Sequence, residues 1–281
     1  MMNDIIFKAV LIIIKFELHY LHYHDKTYDD FYLTAIFLSL MFIFIRKQIL
    51  YLGNKKWFNS ILKENRKSTI GLNRFSSVLF KMIYYCVIVF TFFYFFTDWN
   101  HLPRFLLGNN DNIQSTILYR EQLKDYTRLY YNLQLGYHLH SFIYQFEMTH
   151  RKDFREMMTH HIIAMILIIS SIVDFRTNIG IIIAAIHDIV DLVLYTCKVI
   201  IDTVYYKLLY LLIPILFTCW IYFRIYCLAI IIYHTSYLIS SGYVFFLTML
   251  LLLHLYWLHI LIIFTYNQII LRKSDLNYKR S

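Results

Sequence analysis

The chain has 281 residues, of which 59% are hydrophobic and 19% aromatic, with only six Gly and two Pro. This composition excludes an ordinary soluble domain and indicates an integral membrane protein. The long apolar runs do not alternate with polar residues, which excludes a membrane β-barrel and predicts an all-α, polytopic protein. The net charge of +9 is carried mainly beside apolar segments, where basic residues set topology, so we expect no nucleic-acid partner.

Seven apolar runs come close to the roughly 20 residues that cross a bilayer. They are preceded by the run 5–20, whose internal charges are more typical of an interfacial helix than of a cleaved signal peptide. The third span is short and polar, so it must face a cavity or neighbouring helices. The predicted spans are 31–52, 78–97, 130–146, 157–173, 179–200, 208–233 and 243–271.

Basic residues are concentrated in three segments that agree on one orientation. Lys and Arg far outnumber acidic residues between positions 46 and 74, which places this segment in the cytosol by the positive-inside rule. The connection containing Arg151 and Lys152 then lies in the cytosol, as does the C-terminal tail. The segment 98–128 and the turn 174–178 are predicted to be lumenal.

Two groups of ionisable residues interrupt the fourth and fifth spans. His160 and His161 are adjacent in the fourth span, and His187, Asp188 and Asp191 lie in the fifth. Ionisable side chains are costly at membrane depth and are usually functional there. Because only a short turn separates the two spans, they form antiparallel neighbours that bring both groups together. These five residues are therefore the candidate catalytic site, and we predict no metal centre there.

Both groups lie at a similar depth from the cytosolic side. At about 1.5 Å per helical residue, His160 is roughly 12 Å inside Lys152, and Asp191 is roughly 10 Å inside Lys198. His187 and Asp191 share one face of their helix because they are four residues apart. An imidazole held by a carboxylate can act as a general base or as a nucleophile.

Other histidine chemistries stay open at this point. A single zinc ion held by His160, His187 and Asp191 is one alternative, and a proton path in an ion or solute carrier is another. The histidine boxes of membrane di-iron hydroxylases are absent from the sequence. The four cysteines are interpreted as reduced packing residues. The remaining membrane histidines are interpreted as interhelical packing residues, namely His138, His140, His234, His254 and His259.

An ordered series of residues runs through the fourth and fifth spans. It reads R-K-D-F-x-E-M-x-x-H-H from Arg151, passes Ser171 and Gly180, and ends as H-D-x-x-D-x-x-L-x-x-x-K at Lys198. This series resembles the signature of the ceramide synthases, which belong to the TLC-domain membrane proteins. F-x-x-W-x-x-F-R in the sixth span and L-x-H-x-Y-W in the seventh are also similar to family positions.

The resemblance covers roughly residues 75–273. It divides the chain into an N-terminal part, 1–74, with an interfacial segment, the first span and the basic loop, then a TLC domain, 75–273, and a cytosolic tail, 274–281. Three departures stand out: Tyr195 replaces a common Glu, Ile172 replaces a usual Tyr, and Arg176 is a candidate for the role of an arginine usual just before Gly180. All the His and Asp positions are retained, so we expect altered substrate preference rather than lost activity.

The resemblance implies a barrel of six helices around an apolar cavity, in a sphingoid-base N-acyltransferase of the endoplasmic reticulum membrane. Acyl-CoA and a long-chain base such as sphinganine would give (dihydro)ceramide and CoA without a cofactor. His160 or His161 would be the reacting imidazole, as nucleophile or as general base, and Asp191 would orient it.

The other predicted roles are auxiliary. His187 and Asp188 would complete the proton relay, while Arg151 and Lys152 are candidates for contacts with the phosphates of acyl-CoA. Assembly into a homo- or hetero-oligomer is an open alternative. The competing interpretation is a TLC-domain protein without transferase activity that binds or senses lipid or assists translocation. Family members of that kind generally lack the full His-His and His-Asp-x-x-Asp set that is present here.

Overall fold

The computed structural model describes residues 26–53, 60–63, 67, 69–96, 103–106, 113–118, 125–147, 153–239 and 241–266. These ranges are almost entirely helical, which confirms the all-α class. All four cysteines are free. The predicted interfacial run 5–20, the pair Arg151 and Lys152, and the tail 274–281 lie outside the described residues.

The helices are numbered here in chain order, and each predicted span falls on one of them or on one continuous series. The sixth span is such a series, because a π-helical segment, Trp220–Cys227, joins α7 to α8. The α-helices are α1 (Lys26–Gly53), α2 (Thr69–Phe96), α3 (Ile113–Leu118), α4 (Asp125–Glu147), α5 (Phe154–Val173), α6 (Thr177–Asp202), α7 (Leu209–Cys219), α8 (Leu228–Ser236) and α9 (Ser241–Tyr266).

Six described segments are long and apolar enough to cross a membrane, and α4, the third predicted span, is not among them. The ends of the bundle nevertheless show that α4 crosses. Arg74 of α2 pairs with Asp202 at the end of α6 (3.5 Å), whereas Arg176, between α5 and α6, donates to the carbonyl of Ile117 in α3 (3.2 Å) at the opposite end. Since α4 follows α3 and precedes the start of α5, it connects the two ends, and the described residues form seven helical crossings.

The crossing helices after α1 close into a ring of six. Going round, α2 packs on α4, α4 on α5, α5 on α9, and α9 on α8 and the π-helical segment. The ring closes where α7 and the π-helical segment pack on α6, and α6 packs on α2. α1 lies against α2 and α4 from outside. This is the six-helix barrel that the family resemblance implies.

Close packing on the outer side of α4 fixes its position in the ring. A Cβ atom at Gly136 would lie 2.9 Å from the Cβ of Leu38 and 3.0 Å from the carbonyl oxygen of Ala35, both in α1. The missing side chain therefore allows the two backbones to approach. On the neighbouring face, the rings of Tyr137 in α4 and Tyr84 in α2 stack at 3.6 Å. Both contacts hold α4 in place although it is polar.

Segments that are predicted on the same side of the membrane meet in the structure. Leu62 and Thr203 form an isolated antiparallel bridge, and the amide of Lys63 donates to the carbonyl of Asp202 (3.1 Å). The Lys63 ammonium also donates to the carbonyl of Ile201 (2.8 Å). The connection between α1 and α2 is therefore attached to the end of α6, as the predicted topology requires.

Candidate active site

A cavity of about 50 Å³ lies inside the six-helix ring, which is room for a few water molecules. Its wall is polar towards one end and apolar towards the other. The polar residues are Tyr85, Gln134, His138, His160, His187, Asp188 and Asp191. The apolar half is lined by residues nearer the end of the bundle that holds the α5–α6 turn, including Leu167, Ile168, Gly180, Ile183, Tyr243 and Leu250.

The two adjacent histidines of α5 point in different directions. His160 lines the cavity, and its ring packs against Trp257 of α9 at 5.3 Å. Nδ1 of His160 is buried and has no hydrogen-bond partner among the described residues. His161 is turned towards α4, where its Nδ1 lies 3.2 Å from Nδ1 of His138. Of the two predicted candidates, His160 is the one placed to meet a molecule in the cavity.

The predicted site residue His187 is bonded to a histidine of α9. Its Nε2 lies 2.7 Å from Nε2 of His254, and its Nδ1 lies 2.6 Å from the carbonyl oxygen of Ile183. A carbonyl only accepts, so Nδ1 of His187 carries the proton, and in the neutral ring Nε2 accepts from His254. The indole of Trp220 donates to the carbonyl of His254 (3.2 Å). His254, interpreted above as a packing residue, therefore belongs to the polar layer.

Asp188 is held by α4 rather than by a histidine. Its Oδ2 accepts from the hydroxyl of Tyr130 (3.2 Å) and from the side-chain amide of Gln134. The same amide also contacts the Tyr130 hydroxyl (3.2 Å). Asp188 thus links α4 to α6, and the part of His187 and Asp188 in a proton relay stays a prediction. Both donors are neutral, so neither of them supplies a positive charge to Asp188.

Asp191 has a different partner from the predicted imidazole. Its Oδ1 lies 2.6 Å from Nη2 of Arg224, and both side chains are largely buried. The same Nη2 is within 3.3 Å of the carbonyl of His187, and the guanidinium lies over the ring of Trp220 at 4.4 Å. A guanidinium is the stronger partner because its bond to a carboxylate is charge-assisted. Arg224 comes from the π-helical segment, a distortion that is frequent at functional sites.

The cavity wall contains acidic side chains and no described Lys or Arg. Two carboxylates, Asp188 and Asp191, line the cavity, whereas its described lining contains no Lys or Arg. Arg224 compensates one of the two from behind the wall. Within the described part of the chain, no group of three His, Cys, Asp or Glu side chains is arranged to hold a metal ion. Among the described residues, Asp188, unlike Asp191, is bonded only to neutral groups.

The sequence interpretation assigned His138 to packing and did not mention Gln134 or Tyr130. All three lie on α4 in contact with predicted site residues. It mentioned Arg224 only as part of a motif. One signal was present: α4 is the least apolar of the predicted spans, and a polar helix inside a membrane bundle must direct its polar side chains at a cavity or at other helices.

Segments of three known proteins are similar to this chain. Ceramide synthase LOH2 of Arabidopsis thaliana is 38% identical over 81 residues, which is 28% of this chain and 27% of that protein. Ceramide synthase 4 of Homo sapiens is 31% identical over 147 residues, 49% of this chain and 37% of that protein. A sphingosine N-acyltransferase-like protein ALT7 of Alternaria alternata is 34% identical over 74 residues, 26% of this chain and 17% of that protein. The matches thus span well under half of each relative.

A family model described as the TLC domain matches residues 74–265. The match begins in the first turns of α2 and extends to the last turn of α9, so it contains the cavity and nearly all of the six-helix ring. Because it covers more than half of the sequence, the chain belongs to the TLC-domain family of multi-pass membrane proteins.

Proposed function

We propose that the protein is a ceramide synthase, which transfers a fatty acyl group from acyl-CoA to the amine of a sphingoid base in the endoplasmic reticulum membrane. The composition of the cavity wall is the main support for this proposal. It combines Asp188, Asp191 and three imidazoles at one end with an apolar surface at the other, and no Lys or Arg is among its described residues. A long-chain base has an ammonium group on an apolar tail, and the polar and apolar linings of the cavity match these two parts in chemical character.

His160 is the reacting imidazole in this proposal. It lines the cavity beside both carboxylates, and its environment excludes bulk water, which would otherwise hydrolyse an activated acyl group. Its lone pair either attacks the thioester carbonyl or accepts a proton from the attacking amine. In both cases the carbon–sulfur bond of acyl-CoA breaks and a carbon–nitrogen bond forms. The ammonium loses two protons, of which one is taken by the CoA thiolate and the other leaves the site.

The carboxylates have separate tasks. Asp191 is neutralised by Arg224 at 2.6 Å and fixes the position of α6 against the π-helical segment. Asp188 accepts hydrogen bonds from Tyr130 and Gln134, both of them neutral, and lies beside the cavity. At low dielectric a neighbouring carboxylate attracts a cation strongly. Asp188 is therefore the group that draws the substrate ammonium into the polar end.

The approach of the co-substrate follows from topology. The polar end of the cavity is the end nearer the Asp202 side, which is the cytosolic side in the predicted orientation. CoA then stays at the cytosolic entrance, with Arg151 and Lys152 as the proposed phosphate contacts. No cofactor takes part, because the thioester already supplies an activated acyl group.

The decisive experiment measures product formation in membranes. Membranes that contain the chain, and matched membranes that contain His160→Ala at equal abundance, are incubated with isotope-labelled sphinganine and acyl-CoA of several lengths. Labelled dihydroceramide, measured by mass spectrometry, should form only with the parent chain. If the parent forms no more product than His160→Ala with any acyl length, while binding of labelled sphinganine is retained, the non-catalytic lipid-binding interpretation replaces this proposal.

A further inference from the structure

The three imidazoles of the cavity wall differ in how they are held. His187 is bonded to His254 at 2.7 Å, and His138 is bonded to His161 at 3.2 Å. Each pair thus consists of one ring in the wall and one ring behind it. His160 has no corresponding partner at its buried Nδ1 among the described residues. His161, which belongs to the sequence motif, therefore bonds to a second cavity histidine, His138 of α4. His138 belongs to none of the motifs discussed above.

We propose that His138 is a second catalytic imidazole, which accepts the proton of the substrate ammonium, and that His161 is the positioning residue that holds it. This inference rests on the proposed function and assigns its proton acceptor. His160 then reacts at the acyl carbonyl, while His138 prepares the amine. The two tasks are divided between adjacent rings, whose centroids are 6.2 Å apart.

The hydrogen bond between the two Nδ1 atoms explains how His138 becomes an acceptor. A neutral imidazole has one N–H and one lone pair, so one proton lies between the two rings. When this proton is on Nδ1 of His138, Nε2 of His138 carries a lone pair at the cavity. After Nε2 accepts the ammonium proton, the Nδ1 proton forms a charge-assisted bond to Nδ1 of His161, or moves onto it. His161 therefore shares the new positive charge and holds part of it outside the cavity.

The neighbours of His138 favour a transient positive charge. Gln134 lies one turn earlier on α4 and bonds to Asp188, which lines the same cavity as His138. Asp191 also lines the cavity. The ionisable groups that share the cavity wall with His138 are His160 of α5, His187, Asp188 and Asp191 of α6, Tyr85 of α2 and Tyr243 of α9, and His161 of α5 contacts the ring from behind the wall.

The atoms and charges balance in the proposed step. The ammonium nitrogen gives one proton to Nε2 of His138 and becomes a neutral amine with a lone pair. That lone pair attacks the acyl carbon, the bond from this carbon to its leaving group breaks, and the leaving group takes the second amine proton. His138 returns its proton to water at the polar end of the cavity. No oxidant or reductant is needed.

Two substitutions of His138 separate catalysis from positioning. In His138→Asn the side-chain amide sits near the former Nδ1, so it can still donate to His161 but cannot accept the ammonium proton. His138→Phe preserves the ring shape and removes both functions. Loss of a general base typically lowers turnover by roughly 100-fold to 10,000-fold. We expect both variants to lose at least about 100-fold in kcat at neutral pH while remaining monodisperse in detergent.

The pH profile provides a readout that a structural role would not change. The parent rate should level off once His138 is neutral. In His138→Asn only substrate that has already lost its proton in water reacts, so its rate should rise about tenfold per pH unit. His140→Phe is the matched control, because this histidine lies on the same helix, is buried, and packs on Phe80 and Tyr144 away from the cavity. It should retain activity within about threefold of the parent, because no proton acceptor is lost.

The outcomes are distinguishable. A parent chain that makes no dihydroceramide overturns both this inference and the proposed function. An active parent with a near-normal His138→Asn overturns the inference alone. An active parent with a His138→Asn rate that is reduced by one constant factor at every pH also overturns it, because that pattern reports misplacement of other groups rather than loss of a proton acceptor.

Discussion

The buried ion pair between Asp191 and Arg224 provides the sharpest test of the site geometry. Removing one partner of such a pair leaves an uncompensated charge and costs about 3–5 kcal/mol, whereas removing both charges together is often close to neutral. Asp191→Asn and Arg224→Gln should therefore each destabilise the protein by this amount. For a protein of this size class, 1 kcal/mol shifts Tm by roughly 2–4 °C, so each single variant should melt roughly 6–20 °C lower.

The double variant Asp191→Asn with Arg224→Gln should recover at least half of that loss. Arg224 also contacts the carbonyl of His187 and the face of Trp220, so recovery is incomplete. The measurement is thermal unfolding in detergent, followed by size-exclusion chromatography after heating. Additive losses in the double variant would refute the pairing.

Three further predictions follow from the same structure. His160→Ala should lower N-acyltransferase turnover by two or more orders of magnitude at unchanged membrane abundance, and near-normal turnover would exclude the proposed chemistry. Gly180→Ala places a Cβ against the hydroxyl of Tyr131 and should cost about 1–3 kcal/mol, measured as a lower Tm, whereas an unchanged Tm would contradict the packing. In intact microsomes, a cysteine at Lys67 should be labelled by an impermeant reagent and one at Leu118 protected, and the opposite pattern would reverse the topology.

The crossing helices and the common depth of the two polar groups could be predicted from the sequence. Both depend on hydropathy and on the constant rise of a helix, which are local properties. α4 shows the limit of this method. Its hydropathy alone is too low for a membrane span. Contacts such as that of Gly136 with α1 explain why it is nevertheless stable in the bundle.

The partners of the site residues could not be predicted, because they depend on how each helix is rotated against its neighbours. Sequence spacing places His187 and Asp191 on one face of α6 but does not show which helix they meet. Arg224 reaches Asp191 from a π-helical segment whose wider turn is not visible in the residue pattern. His138 looks like any interhelical histidine until the rotation of α4 against α5 is known.

The departure at Tyr195 concerns the edge of the site rather than its reacting atoms. Tyr195 lies one turn beyond Asp191 on α6, and its hydroxyl accepts a bond from the Lys81 ammonium (3.3 Å). Lys198 lies over the same ring at 4.7 Å. The tyrosine ring therefore contacts two cations with which a glutamate would form ion pairs. The carboxylates of the cavity wall then stay the main attraction for an ammonium. Because the ring also stacks on Tyr85, which lines the cavity, this substitution should change which substrates fit rather than whether the reaction occurs.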